Sequence, residues 1–237
     1  LLGRKVEVIV YDDESDATKA VTAVDRLIKR DRVVAVIGPS TPGSTLAIVP
    51  KIEEAQNPLI SCAAAKEIAE PVKRRIFKTP QSDALAVRKI YQHAKKAGLT
   101  KMAILTASDA FGAAGREELK EVAAQAGMTI VADEVFGPKD TDMTAQLTRI
   151  KGTAAQAIIV WGTNPGPAVV ARNRVQLKVG LPLYMSHGVA SPKFIELAGP
   201  ENAEGILLPA GRLIAEGQVP SDHPQKALLA NYIKEYE

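Results

Sequence analysis

Residues 157–178 have the sequence AIIVWGTNPGPAVVARNRVQLK. Five apolar residues, Ala157–Trp161, are followed by a short polar turn, and a helical pattern then runs from about Gly166 to Lys178. A strand that is apolar at every position is typical of a sheet covered by helices on both faces. The stretch therefore predicts one strand of a parallel sheet and the crossover helix that follows it.

The same alternation of strands and helices extends along the chain on both sides of this stretch. From residue 82 onward the predicted elements are helix 82–96, strand 102–106, helix 110–126, strand 129–135, helix 143–151, strand 183–185, helix 192–198 and strand 206–208. Before residue 80 they are strand 5–11, helix 16–30, strand 33–37, helix 44–55 and strands 58–60 and 75–78. Because the alternation restarts after Pro80, we expect an α/β protein with two doubly wound parallel-sheet lobes.

Composition narrows the possible classes of protein. The 237 residues are 46% hydrophobic and 24% charged, which suits a compact core and excludes a disordered chain. The net charge of +3 is too small to favour a nucleic-acid partner or an anionic membrane. No apolar run approaches the roughly 20 residues of a membrane-spanning helix, and no signal peptide is visible.

Cysteine and histidine usage argues against a metal site or a thiol nucleophile. The single cysteine, Cys62, cannot form an intramolecular disulfide or a multi-thiolate zinc site. We expect it to be a small buried residue, since no histidine is near it in sequence to activate it. His93, His187 and His223 show no metal-ligand spacing to one another, to a cysteine or to a carboxylate, and His93 and His223 are predicted to be surface residues.

The residues that follow each predicted strand are the most informative, because ligands of open α/β sheets bind outside the carboxyl ends of the strands. These tips are YDDESD, GPSTPGST, SCAAAKE, TASDAFG, WGTNPGP and SHGVASP. Most of their residues are small, hydroxyl-bearing or glycine, which suits close backbone approach and N–H donation to a carboxylate. No tip pairs a nucleophile with a base, and no G-x-G-x-x-G or G-x-S-x-G occurs, so we expect neither catalysis nor a cofactor.

Two of the tips leave alternatives open. Residues 38–45, GPSTPGST, have the glycine spacing of a phosphate loop, but Ser44 stands where that loop needs lysine, which disfavours nucleotide hydrolysis. The loop is either an anion-binding nest or a helix cap made by Ser44 or Thr41. The acidic run Asp12–Asp16 is best explained as a solvated helix start rather than a calcium loop.

In their order, these segments resemble the type I periplasmic solute-binding proteins of branched-chain amino acid ABC transporters, the leucine/isoleucine/valine-binding group. The matching segments are VEVIVYDDESDATKAVTAVDRLI, VVAVIGPSTPGST, PLISCAAAKEIAEPVKRRIFKTPQSD, the AFG after TASD, IIVWGTNPGP and YMSHGVASPKFIELAGPENAEGILL. The resemblance implies a periplasmic or extracellular binding protein whose signal peptide has been removed. It would be non-enzymatic, lack cofactors and metals, and deliver a small carboxylate to a membrane permease.

The resemblance also implies which residues hold the ligand, in the cleft between two lobes that close over it. One lobe would hold the ligand carboxylate with hydroxyl and backbone N–H groups, and the other would supply an aromatic ring and polar groups. Carried over by position, the ligand-binding residues are Ser40, Thr41, Gly43, Ser44, Ala63, Ala64 and Ala65 in the first set, and Phe111, Thr163, Asn164, Pro165, His187 and Gly188 in the second. Trp161 is predicted to be core, which leaves Phe111, expected to be exposed at its tip, as the better candidate for stacking.

His187 stands where amino-acid binders of this family have a glutamate for the ligand ammonium. A neutral imidazole is a poor counter-ion for an ammonium, so an aromatic, keto or other organic acid is a ligand alternative to a branched-chain amino acid. A backbone carbonyl near Gly188, or a carboxylate from a further segment, is the alternative partner for an ammonium.

By the same resemblance, the lobes consist of residues 1–80 plus 210–237 and of residues 81–209. The chain then begins after the family's first strand and helix and ends before its closing segments. A cytosolic ligand sensor on the same fold and, less favoured, an α/β enzyme are the alternative functions.

Overall fold

The computed structural model describes residue 3 and residues 5–137 and 139–236, and these fall into two compact units. The first unit contains the described residues up to Leu85 together with Ser108–Leu119. The second contains Ala86–Ala107 and the described residues from Lys120 onward. The lobe boundaries expected from the sequence, 1–80 plus 210–237 and 81–209, stay a prediction.

The first unit is built on a three-stranded parallel sheet. Its strands are β1 (Val36–Ile37), β2 (Leu59–Ser61) and β3 (Ile76–Lys78), in that spatial order. Helices α1 (Ala17–Lys29) and α2 (Pro42–Ala55) precede and follow β1. The core between helices and sheet contains Val24, Ile48, Ile52, Leu59, Ile68 and Ile76.

Capping chemistry explains where these two helices begin and end. The Asp16 carboxylate accepts a hydrogen bond from the Lys19 N–H at 2.9 Å and caps α1, so the acidic run before it is a helix start, as predicted. Pro42 opens α2 at a position where its missing N–H costs nothing, and Gln56 ends the helix in a left-handed conformation.

The second unit is built on a four-stranded parallel sheet in the spatial order β5-β4-β6-β7. Its strands are β4 (Lys101–Ala107), β5 (Thr129–Phe136), β6 (Ala157–Trp161) and β7 (Leu183–Met185). The helices that alternate with them are α3 (Asp83–Lys96), α4 (Ala110–Ala126), α5 (Thr144–Lys151), α6 (Gly166–Gln176), α7 (Pro192–Ala198) and α8 (Pro200–Ala203). The first residues of α3 and most of α4 up to Leu119 group with the first unit.

The central strand β6 is buried at all five positions, which confirms the interpretation of its continuous apolar sequence. Ile158 and Val160 pack with Leu147 of α5 and Val170 of α6 in one core cluster. The α/β class with parallel sheets and covering helices is therefore confirmed. After α8, Arg212–Gln218 forms short 3-10 turns that are interrupted by a kink at Ala215, and the last described element is α9 (Lys226–Tyr236).

Three strand predictions need correction, each because a neighbouring strand is short or lacking in the described structure. Residues 5–11, predicted as a strand, are extended but pair with no other strand in the part of the chain that the structure describes, and Val6, Val8 and Val10 are exposed. The predicted strand 33–37 shortens to β1, which pairs with β2 at only two positions. The predicted strand 206–208 is reduced to a single bridge between Leu207 and Tyr184.

Within the described residues, no helix is both long and apolar enough to cross a bilayer.

Candidate functional site

In the first unit, the tips of β1 and β2 lie side by side because the two strands are parallel neighbours. The Cys62 N–H donates to the Pro39 carbonyl at 3.0 Å, which joins the loop after β1 to the loop after β2. Gly38 turns the chain away from β1 with a φ of 99°, a conformation that favours glycine. Two groups of predicted ligand residues, 40–44 and 63–65, are thereby brought to one edge of the sheet.

Beneath these loops lies a pair of fully buried hydroxyl groups. Thr45 Oγ1 and Ser61 Oγ are 3.0 Å apart, and Ser61 Oγ also accepts the Ala63 N–H at 3.1 Å. Thr45 Oγ1 additionally donates to the Pro39 carbonyl at 3.4 Å. The pair therefore ties α2, β2 and both loops together, and it fixes the backbone that the predicted site uses.

Ser44 occupies the third position of α2 and is 1% exposed. In the described structure, its Oγ has no hydrogen-bond partner, and the Thr41 side chain makes no capping bond. The first-turn N–H groups of a helix have no intrahelical acceptor, and the helix dipole makes this end positive. A buried hydroxyl at such an end suits a ligand carboxylate, so of the two open interpretations of residues 38–45 the anion nest is favoured over a side-chain cap.

The loop after β2 is held from below by two lysines. Lys78 donates to the Ala64 carbonyl at 2.6 Å, and burial lowers the pKa of its ammonium group. Lys66 forms an ion pair with the buried Glu118 of α4 at 2.6 Å. The side chains of Ala63, Ala64 and Ala65 are methyl groups without a polar atom, so these three residues can hydrogen-bond to a ligand only through their backbone.

Asp83, the first residue of α3, is a buried carboxyl group in the same unit. Burial raises its pKa to about 7. The positive charge of Lys78 opposes this rise, while the negative charges of Glu118 and Glu67 add to it. Near neutral pH this carboxyl group is therefore partly protonated.

In the second unit, the tips of β6 and β7 are joined by Ser186. Its Oγ donates to the Gly162 carbonyl at 3.0 Å, and it accepts the Gly188 N–H at 3.3 Å. Ser186 thus caps the short 3-10 helix His187–Val189 that carries the predicted His187 and Gly188. The predicted residues 163–165 follow β6 directly, so both predicted segments of this unit lie at the same sheet edge.

His187 and Asn164 are two further polar side chains at this edge. The half-buried His187 ring meets the buried Trp161 ring edge to face, with centroids 5.7 Å apart, which sets the plane of the imidazole. The Asn164 Oδ1 is buried and has no hydrogen-bond partner among the described residues. An oxygen left in this state can accept a hydrogen bond from a bound ligand.

The other predicted residues have mixed environments. Ser40, Thr163, Pro165 and Gly188 are exposed, while Thr41 and Gly43 are half-buried. Phe111, expected to be exposed, is only 8% exposed, because α4 begins at Ala110 and its first turn packs into the first unit. Its role against a ligand stays a prediction, as do those of the other predicted site residues.

The side chains of Cys62 and Trp161 differ in how their environments compare with those expected from the sequence. Cys62 is exposed rather than buried, because it alternates with the buried Ser61 and Ala63 on either side. Trp161 is buried in the core, as predicted.

Sequence reasoning missed the residues that support the tips rather than form them. Thr45, Ser61, Lys78 and Ser186 position loop backbone, and none of them was singled out. Ser61 and Ser186 each lie at the end of a strand. A hydroxyl residue in or directly after an apolar run could have indicated a side chain that supports the strand tip. The sequence gives no such indication for Lys78, because an exposed lysine and a half-buried one cannot be told apart from sequence.

The described residues contain no cluster of three or more histidine, cysteine or acidic side chains that could hold a metal ion. The fold and the tips define the class: a parallel α/β protein whose strand ends present backbone N–H, hydroxyl and amide groups. The chain belongs to the periplasmic binding protein family, whose model matches residues 1–236.

Known proteins similar to this chain agree with that assignment. A leucine-, isoleucine-, valine-, threonine- and alanine-binding protein of Pseudomonas aeruginosa is 24% identical over 96% of this chain and 60% of its own length. A Leu/Ile/Val-binding protein of Rhizobium johnstonii is 22% identical over 87% of this chain and 56% of its own. The chain thus spans less than two thirds of the length of these curated relatives.

Solved structures show the same architecture. An extracellular ligand-binding receptor from Rhodopseudomonas palustris HaA2 is 27% identical, with a TM-score of 0.87 over 99% of this chain and 66% of that one. A branched-chain amino acid transporter substrate-binding protein from Streptococcus pneumoniae, solved with isoleucine, is 26% identical, with a TM-score of 0.78 over 86% of this chain and 58% of that one. The resemblance inferred from the sequence motifs is confirmed.

Proposed function

We propose that this protein is a non-enzymatic, periplasmic or extracellular solute-binding protein that holds a small carboxylate at its strand tips. It would deliver that ligand to the membrane permease of an ABC transporter. The observation that carries the proposal is the buried Ser44 hydroxyl at the N-terminus of α2, which has no hydrogen-bond partner among the described residues. The loop before it is joined to the loop of residues 63–65 by the hydrogen bond from the Cys62 N–H to the Pro39 carbonyl. This arrangement offers hydrogen bonds and a positive helix end to an anion.

The names of the relatives support the same class of ligand. Proteins that bind branched-chain amino acids are among the curated relatives and the solved structures. All of these ligands contain a carboxylate, which is the group that the first-unit tips suit.

We further propose that the ligand has no α-ammonium group at the end that faces His187. His187 offers hydrogen bonds but no fixed negative charge, and a buried ammonium without a counter-charge is costly. We therefore favour a keto, hydroxy or aromatic acid over an amino acid. A branched-chain amino acid is the alternative, with a backbone carbonyl near Gly188 taking its ammonium.

A thermal-shift screen tests the proposal. Leucine, valine, their 2-keto acids and a set of aromatic carboxylates are each added to the protein at high concentration. A ligand present at about 100 times its Kd stabilises the folded protein by ~2.7 kcal/mol, which raises Tm by several degrees. If no carboxylate in the set raises Tm, the proposal is wrong.

A further inference from the structure

A cavity in the second unit is lined by none of the residues predicted to bind the ligand. Its volume is about 320 Å³, near the lower end of the range for small-molecule sites. One wall is formed by α3, and the opposite wall by Tyr184 of β7 and residues 207–209. The cavity is thus separate from the candidate site in its residues.

The α3 wall is cationic. Lys89, His93 and Lys96 are spaced four and three residues apart, which places them on one face of the helix, and all three line the cavity. In the described part of the chain neither lysine is in an ion pair, and no carboxylate is among the lining residues. Their charges are therefore not neutralised within the described structure.

A hydrogen-bonded pair of side chains joins the two walls of the cavity. The Tyr184 hydroxyl lies 3.0 Å from His93 Nδ1, and the two rings meet edge to face with centroids 5.7 Å apart. This contact orients the imidazole. In the tautomer whose Nδ1 accepts a hydrogen bond from the tyrosine hydroxyl, Nε2 carries the ring hydrogen and is a donor. The wall opposite α3 is apolar, formed by Leu207, Leu208 and Pro209.

We propose that this cavity is a second ligand site, which binds a small organic anion. The oxyanion group of such a ligand would contact Lys89 and Lys96, and its apolar body would lie against Leu207 and Leu208. An inorganic anion would satisfy the lysines but leave the apolar wall exposed to water, so an anion with an apolar body fits better. The proposal is independent of the function proposed for the strand tips.

Histidine NMR provides a local test, because the chain has only three histidines. The protein is labelled with ¹³C-histidine, the three ring signals are assigned by single substitution to Gln, and phenyl phosphate or benzoate is titrated in. We expect saturable shifts of the His93 signal, with inorganic phosphate binding about tenfold more weakly than phenyl phosphate. The His223 signal should not move.

Two double variants distinguish a specific binding site from non-specific electrostatic attraction. K89A/K96A should weaken the response of His93 at least about tenfold, because both cationic contacts are lost. K95A/K101A removes the same charge from exposed positions outside the cavity and should leave the response unchanged. No saturable shift of His93, or equal loss in both double variants, would overturn the proposal. A shift confined to His187 would also overturn the proposal, because the probe would then be bound at the strand tips. That result would support the proposed function instead.

Discussion

At the scale of single residues, two buried serines of the first unit have opposite expected effects. Ser61 Oγ is hydrogen-bonded to Thr45 and to the Ala63 N–H, whereas Ser44 Oγ has no partner among the described residues. Removing a partnered buried hydroxyl leaves its partners unsatisfied, but removing an unpartnered one relieves a desolvation cost. The two serines therefore separate structural support from ligand contact.

We expect Ser61→Ala to lower the free energy of unfolding by about 1–3 kcal/mol, and Ser44→Ala to leave it unchanged or slightly raised. Ser44→Ala should instead weaken carboxylate binding by about 10–150-fold, the equivalent of the roughly 1.5–3 kcal/mol of one hydrogen bond to a charged group. Urea unfolding and calorimetric titration measure the two effects. A clear loss of stability in Ser44→Ala would mean that its hydroxyl has a partner in the folded protein.

Asp83 makes stability depend on pH. Its pKa in the folded protein is raised to about 7, above the ordinary value of 3.8, so the folded state binds a proton that the unfolded state releases between these two pH values. Stability contributed by the protonated carboxyl group is therefore lost as pH rises from about 4 to about 7.

The variant Asp83→Asn keeps the shape of the side chain and cannot ionise. Relative to the unsubstituted protein, its free energy of unfolding should rise by about 2–4 kcal/mol between pH 4 and pH 8. Urea unfolding across this range measures the difference. A constant difference at every pH would show that Asp83 does not titrate with a raised pKa in the folded state.

Single-residue roles could be predicted from sequence only where a side chain acts at a strand tip. Ser44 and His187 are predicted in this way, because ligand positions in parallel sheets follow from strand ends, and their roles stay predictions. The buried state of Asp83 and the exposure of Cys62 could not be predicted, since each depends on which neighbours the rest of the chain packs against it.

At the scale of secondary-structure elements, two glycines leave room for the Phe136 ring of β5 beside β6 and α6. A Cβ atom added at Gly166 would lie 2.4 Å from Cε2 of the Phe136 ring, and one at Gly162 would lie 2.9 Å from its Cζ. Both glycines therefore allow the ring to pack under the tip that contains residues 163–165.

We expect Gly166→Ala to destabilise the protein by about 1–3 kcal/mol, because the Phe136 ring must move within a packed core. Gly180→Ala is the matched control: no atom lies within 4 Å of its added Cβ, and its φ is not positive. Thermal unfolding of both variants measures the difference. Equal stability of the two variants would contradict the packing described for β6 and α6.

The alternation of elements was predictable because it rests on local apolar periodicity. Helix α4 and strands β6 and β7 have the predicted bounds, since their apolar patterns are long or continuous. Residues 5–11 have an equally strong strand pattern and yet form no strand in the described structure, because a strand also requires a partner for its hydrogen bonds.

At the scale of the whole molecule, the proposed function makes the choice of ligand depend on His187. His187 is the polar side chain at the β7 tip, and its exchange for glutamate adds a fixed negative charge there. His187→Glu should shift binding toward leucine and valine and away from their 2-keto acids. His187→Gln is the control that keeps a neutral hydrogen-bonding group and should retain the original preference. An unchanged ligand profile in His187→Glu would show that this position does not select the ligand.

The central claim is that the strand tips bind a small carboxylate and leave it chemically unchanged. Calorimetric titration of the protein with leucine, valine, their 2-keto acids and benzoate, followed by mass analysis of the recovered ligand, tests it most directly. We expect at least one keto or aromatic acid to bind with a micromolar or lower Kd, more tightly than the amino acids, and to be recovered intact. Tight binding of leucine or valine without binding of the 2-keto acids would contradict the role given to His187. Conversion of a bound carboxylate, or binding of no carboxylate at all, would contradict the proposal that the strand tips bind a carboxylate and leave it unchanged.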